Sequence, residues 1–412
     1  MPPFQFLTRA FDVPTAEFSL QWQNLGDLFT MLLLLGGDVI SRALAQLSGT
    51  ESFVTPVAFS FGWVGFAVTA LLSAIGENKL MPAPDTSCQV INGHSAYART
   101  NTSWVIGRLV RDFEHWMPSQ TRQHLQHMLD ARWQENREKA ARKHEAKQKD
   151  MLLPFTSASS PVPPPRPIQA SLCVTVLAAA AHHPALPTRD AAYLSGLATL
   201  VLQLGIAAIP YFVWGAWSVL VVTAAGTVLA AATAALPQWA REKWACRRDS
   251  DKAVVLTRGN GAQHALVVLG EGRGLDFEDL AAGPANLDLS GSRGSVAAVV
   301  GLSGLWVALL VVAAAGGVVR EYAGFMVAVG AVGMAQNVYV AGARRRPEAV
   351  GVPLVFREVI GETKVFETLL RVEERYPKVG RSMLDTFFPG GHLSEEERAR
   401  WRAVEEKSSA IK

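Results

Sequence analysis

Chemistry in this chain would have to come from few residues. Asp38 and Arg42 stand four apart inside an apolar run. That spacing puts a carboxylate and a guanidinium on one helix face, where they pair. Each would cost about 3 kcal/mol near the centre of a membrane helix. The pair therefore marks either a solute path or a structural lock, or else the run lies at the interface. His124 and His127 are three apart beside Arg122, and His182-His183 precede a proline. Neither has the H-E-x-x-H spacing of a zinc hydrolase. No G-x-S-x-G nucleophile elbow is present. RGNGAQHALVVLGEGRG, starting at Arg258, is rich in glycine, and glycine N–H groups can cradle anions. It lacks G-x-x-x-x-G-K-[ST], and no G-x-G-x-x-G joins a strand to a helix. Asn260-Gly261 is more simply a turn, and 270–274 a loop. An enzyme would need titratable groups such as Glu77, Lys79 and Arg111 to converge. Cys88, Cys173 and Cys246 are scattered and odd in number, which argues against a disulfide framework or a zinc site. These residues name no catalytic, cofactor or metal site, and no cofactor is expected.

The elements around them are clearer. Of 412 residues, 49% are hydrophobic and 18% charged. The two kinds are segregated, as in a multi-pass membrane protein with sizeable water-facing loops. Six apolar runs cover 28–47, 54–76, 191–209, 214–236, 296–319 and 323–340. Most reach or approach the roughly 20 residues that cross a hydrocarbon core. The third and fourth, and the fifth and sixth, read as tight hairpins. The first is the weakest, because it holds Asp38 and Arg42. Val39, Ile40, Ala43, Leu44 and Leu47 would serve an interfacial or re-entrant helix instead. Lys and Arg concentrate in 77–190, in 237–295 and after 340, so the positive-inside rule places these parts in the cytosol. A net charge of +3 is too small to suggest nucleic acid. Arg9 alone precedes the first run, which is not a secretory signal layout.

Small residues trace one face of each of the last two runs. Gly301, Gly304 and Ala308 lie on the fifth, and Gly324, Ala328 and Ala331 on the sixth. Such faces allow close helix approach, so the two spans are expected to pack on each other there. The other polar residues within the spans are Gln203 and the pair Gln336-Asn337. Pro56 and Pro210 lie near span ends, not midway. A set this small reads more readily as a lock between helices than as a transport path.

The chain divides as 1–27, an N-terminal segment; 28–76, two membrane helices; 77–130, a cytosolic segment; 131–168, a charged helix and proline-rich linker; and 169–190, a strand segment. Then follow 191–236, two membrane helices; 237–295, a cytosolic loop with a β-hairpin; 296–340, two membrane helices; and 341–412, a cytosolic tail. Apolar and β-branched runs at 88–91, 171–177, 253–257, 264–269 and 353–359 read as strands. Each is too short to stand alone. They are expected to form one mixed sheet covered by a helix at 364–376. SWVIGRLVRDFEHW, 103–116, reads as an amphipathic helix whose Arg108 and Arg111 suit lipid headgroups. Pro161, Pro164 and Arg166 fit the P-x-x-P-x-R pattern of an SH3 ligand, although proline this dense is more simply a linker. Asn101-Thr102-Ser103 has the form of a glycosylation sequon.

GENKLMPAPD, SWVIGRLVRDFEHW, LTRGNGAQHALVVLGEG and ARRRPEAVGVPLVFREVIGETKV together resemble a family of uncharacterised fungal multi-pass membrane proteins. The likeness covers most of the chain outside 131–167. It implies a fungal origin and an integral membrane location, and it carries no activity, cofactor or site residue. The expected fold is an all-α polytopic membrane protein of about six transmembrane helices with a small discontinuous α+β domain on the cytosolic face. The expected role is that of a scaffold, sensor or regulator, with a small-solute transporter or channel as the alternative. The expected partners are the lipid bilayer and an SH3-type cytosolic protein.

Overall fold

The computed structural model describes residues 25–50, 54–150, 164–180, 189–287, 292–315, 322–390 and 393–410. In chain order the elements begin with α1 (Leu25–Leu47), α2 (Gly62–Ile75), β1 (Gln89–Asn92), β2 (Ala98–Thr100), α3 (Trp104–Trp116), α4 (Ser119–Asp150) and β3 (Cys173–Ala179). Next come α5 (Ala191–Trp214), α6 (Ser218–Ala234), α7 (Pro237–Lys243), β4 (Ala253–Thr257), β5 (His264–Leu269) and α8 (Phe277–Asn286). The remainder are α9 (Arg293–Ala315), α10 (Ala323–Gly342), α11 (Pro347–Val350), β6 (Leu354–Gly361), α12 (Val365–Arg375), α13 (Val379–Phe387) and α14 (Glu395–Ala410). The chain is 61% helical. It divides into two compact units, one of Met1–Pro82, Arg189–Ala240 and Asp288–Ala343, the other of Ala83–Thr188, Arg241–Leu287 and Arg344–Lys412.

Among its described residues the first unit has helices and no strand. Among the described residues, three helices are long and apolar enough to cross a membrane: Ala191–Trp214, Arg293–Ala313 and Ala323–Gly342. A fourth is counted if α6 and α7, bent by 40°, form one span. Six full spans are thus more than the helix lengths show. The second apolar run is the reason. It is not one helix: 54–60 is neither helix nor strand, and α2 has only 14 residues, about 21 Å at 1.5 Å per residue.

Outward faces of this unit carry large apolar side chains, including Val201, Phe212, Val228 and Val312. Its inside holds aromatic stacks, with Trp306 at 4.9 Å from Trp63 and 6.1 Å from Phe59. Asp190 caps α5 by accepting from the Tyr193 N–H at 3.1 Å. Gly215, at φ +73°, ends that helix and turns the chain into α6, a conformation that glycine adopts without steric cost.

The expectation that the fifth and sixth runs pack through their small faces is corrected. Gly301, Gly304 and Gly324 have open space where a Cβ would stand. Ala308 and Ala331 are exposed, and Ala328 is half-buried. The main partners of α9 are α2 and α6, and those of α10 are α5 and α1. Spacing alone cannot separate a packed small face from a lipid-facing one. The glycines that do permit close approach are others. Gly36 meets Gly62, Gly196 meets the Pro56 carbonyl, Gly226 and Gly330 meet the rings of Phe59 and Phe61, and Gly333 meets the Phe59 carbonyl.

The second unit is built on a six-stranded mixed sheet of order β2-β1-β4-β5-β3-β6. β4 and β5 coincide with the stretches read as strands around RGNG, and they pair antiparallel. β3 is parallel to β5 and antiparallel to β6. β2, not anticipated, closes a hairpin with β1. Strands whose side chains are buried on both faces read as near-continuous Val and Leu runs, and β3 and β4 are of that kind. One face packs Val174, Val176, Val255 and Val267 against Phe366 and Leu369 of α12, Met383 of α13 and Trp401 of α14. The helix expected over the sheet is therefore present as α12. At the β3 end, Leu125 and Met128 of α4 pack on Cys173. The charged half of α4 carries a Glu135–Lys139 pair at 3.8 Å and a Glu138–Arg142 pair at 3.9 Å.

Candidate functional site

In the helical unit, polar groups gather on the non-helical stretch 54–60. Its buried backbone needs partners that neither helix nor sheet supplies. The Ala58 carbonyl accepts from Trp63 Nε1 at 2.9 Å and from Asn337 Nδ2 at 3.0 Å. The Phe59 carbonyl accepts from Gln203 Nε2 at 2.6 Å. The Ala58 N–H donates to Gln336 Oε1 at 3.4 Å, and Asn337 Nδ2 also donates to Ser60 Oγ at 3.1 Å. Tyr193 Oη donates to the Val54 carbonyl at 3.2 Å. Gln203, Gln336 and Asn337 thus all bond to this stretch, and Gln203 Nε2 also donates to the Val329 carbonyl of α10 at 2.8 Å.

Asp38 and Arg42 do pair, at 2.9 Å. Both side chains are exposed, 67% and 44%, so the pair lies on the outer surface of this unit. Lys79 pairs with Glu77 at 2.7 Å. Arg111 instead pairs with Asp112 at 2.7 Å within the sheet unit. The grouping of Glu77, Lys79 and Arg111 that an enzyme would need gains no support from these partners.

In the sheet unit, Arg108 is not a headgroup contact. Its side chain is fully buried and pairs with buried Asp85 at 2.7 Å. Its guanidinium lies 4.8 Å from the Trp104 ring centroid, and Lys243 Nζ lies 5.6 Å from the same ring. The periodicity of 103–116 could not show this, because the partner carboxylate lies in a separate loop. A second ionic group, also missed, surrounds the start of α8. Glu278 accepts from Arg99 at 2.6 Å, Asn92 at 2.8 Å and Lys252 at 2.9 Å. Hydrogen bonds from Arg247 hold the neighbouring Asp279 below the usual carboxylate range. These groups tie the β1–β2 hairpin to α8 and read as structural.

The sheet unit also holds a cleft of about 350 Å³, at the small end of the range for ligand pockets. One wall is α3, through Val110, Arg111, Phe113 and Glu114, and another is the β4–β5 turn, 258–263. Gly259 and Gly261, at φ +97° and +82°, shape that turn. The Gly259 N–H donates to Thr257 Oγ1 at 3.2 Å, and the Ala262 N–H to the Gly259 carbonyl at 3.1 Å. The N–H groups of Asn260 and Gly261 have no acceptor among the described residues. His264 opens β5 with its ring against Phe113 at 5.1 Å. Its Nδ1 is buried without a hydrogen-bond partner.

Burial pulls the His264 pKa below its usual 6.5. The unfolded chain therefore takes up a proton first as pH falls through 6.5. The contribution of His264 to stability is complete above that pH and is lost below it. Urea midpoints measured at pH 7.5 and 5.0 should show this loss, and His264→Gln should reduce the difference.

Among the described residues no group of three or more His, Cys, Asp or Glu could hold a metal ion. Of the proline motif, Pro161 lies outside the described residues. The Pro164 carbonyl accepts from Trp133 Nε1 at 3.0 Å, and Arg166 pairs with Asp130, so both are engaged with α4. Asn101 is buried, and its Nδ2 donates to the Ser103 carbonyl at 2.8 Å. A folded sequon of this kind offers no free amide to a glycan. Comparison with known proteins finds no matching family model, no matching curated protein and no matching solved structure.

Proposed function

We propose that this is an integral membrane protein that crosses the bilayer six times and presents the sheet unit on the cytosolic face as a scaffold, sensor or regulator. The second pass would combine the non-helical stretch 54–60 with the short helix α2. Three helices of membrane-crossing length support the membrane assignment, and the distribution of Lys and Arg supports the cytosolic side. The observation that carries the anchoring role is the use of Gln203, Gln336 and Asn337 as partners for the backbone of Ala58 and Phe59. Amides committed to a backbone break hold helices together instead of lining a path. The lipid bilayer is the first partner. An SH3-type partner would have to displace Pro164 and Arg166 from α4.

One observation favours a transporter as second reading. A break inside a bundle is where secondary transporters place their sites. Liposomes reconstituted with the chain and loaded with an ion-sensitive dye separate the two. Under the anchoring role, proton and potassium gradients decay as in protein-free liposomes. A leak or uptake above that of protein-free liposomes would favour transport.

A further inference from the structure

Charged side chains of the sheet unit mostly have partners. Arg108 pairs with Asp85, Arg247 with Asp279, Arg357 with Glu271 and Arg400 with Glu367. Two that line the cleft do not. Arg258, beside the β4–β5 turn, and Glu114, on α3, make no ion pair or hydrogen bond among the described residues. They carry opposite charge, border one cavity, and still do not pair with each other. Surface pairs gain little in water, so their separation alone costs little. What makes it informative is the company. The same cleft holds two N–H groups without acceptors, at Asn260 and Gly261, on the side of Arg258. It also holds the unpartnered Nδ1 of His264. Its floor includes apolar Val110, Leu256 and Leu266. Successive N–H groups at a turn with positive φ favour an anion, and a carboxylate on a facing helix favours a cation.

We infer that this cleft binds a small zwitterion. Its anionic end meets Arg258 and the Asn260–Gly261 N–H groups, its ammonium end meets Glu114, and its short apolar part rests on Val110, Leu256 and Leu266. A cleft of about 350 Å³ has room for an amino acid or a lipid headgroup. Both sources offer the same chemistry, an anion and an ammonium joined by a short linker. The inference goes beyond the anchoring role and does not depend on it, because binding is read in detergent without reference to topology.

Calorimetric titration of the full chain, purified in an uncharged maltoside detergent, tests it. The probes are phosphoethanolamine for the headgroup and leucine for the free amino acid. Inorganic phosphate and ethanolamine serve as single-charge controls. Saturable binding of at least one zwitterion is expected, tighter than either control. Arg258→Gln and Glu114→Gln should each weaken it at least tenfold. Both side chains are exposed, and unchanged melting curves would show that the variants fold. Binding of phosphoethanolamine alone assigns the site to a lipid headgroup, and binding of leucine alone to a free amino acid. Either result supports the site. No saturable binding of either zwitterion overturns the inference. So does binding that both variants leave intact, or phosphate binding that matches the zwitterion and ignores Glu114→Gln.

Discussion

Gly333→Ala should destabilise the helical unit by about 2–4 kcal/mol, while Gly301→Ala should leave it unchanged or slightly more stable. Both are glycines inside apolar helices, at α10 and α9. In an open helix position, Ala is favoured over Gly by about 1 kcal/mol. At Gly301 nothing opposes that gain. At Gly333 a Cβ would press on the Phe59 carbonyl and on Gln203 Nε2. Neither can yield without breaking the 2.6 Å bond between them. Overpacking typically costs 1–3 kcal/mol, and stranding a buried carbonyl about 1–3 kcal/mol more. Gln203→Leu removes the donor without the clash and should cost about half as much. Melting of the detergent-purified chain, followed by the monodisperse fraction after heating, reads all three. Equal effects at 333 and 301 would return weight to the small faces of α9 and α10 as the packing surface.

The second large effect lies in the sheet unit. Asp85→Ala should cost about 3–5 kcal/mol, because it removes the carboxylate that pairs at 2.7 Å with the buried Arg108 guanidinium. Arg111 also reaches Asp85, at 3.4 Å, but retains Asp112. Replacing both members, Asp85→Ala with Arg108→Met, should recover much of the loss, since an apolar side chain against Trp104 needs no counter-charge. A thermodynamic cycle over the four chains, read by denaturant titration, measures the coupling. A single Asp85→Ala variant as stable as the parent would show that the pair carries no weight.

The sheet was the most legible part of the sequence. Its strands are short β-branched runs between turn signals, and 253–257 and 264–269 coincide with β4 and β5. Their coming together from distant segments was also readable, because none could be stable alone. The break at 54–60 was not. Hydropathy measures burial, and a buried irregular stretch is as apolar as a helix. Pro56 and Ser60 were its only local marks. Its partners Gln203, Gln336 and Asn337 were visible as polar residues in apolar runs, but not what they bond. The glycine error has the same origin, since a small face signals close approach without naming the surface approached. In the cleft, RGNGAQ read as a turn, and a turn it is. The missing information was Glu114 on the opposite wall, placed there by the packing of α3.

The central claim is that α4 with its sheet unit lies on the cytosolic side of a membrane that the helical unit crosses. Labelling of single introduced cysteines tests it most directly. The native thiols will stay silent. Cys88 and Cys173 are buried and Cys246 is half-buried. Burial pushes all three up to about 12, far above the pH of labelling, so almost no thiolate forms. Lys139 on α4 is 72% exposed, and Trp217, in the turn between α5 and α6, is 64% exposed. Lys139→Cys and Trp217→Cys would be made in sealed microsomes, cytosolic face outward, and treated with a membrane-impermeant maleimide. Lys139→Cys should react at once and Trp217→Cys only after detergent opens the vesicles. Protection of Lys139→Cys, or immediate reaction of both, would contradict it.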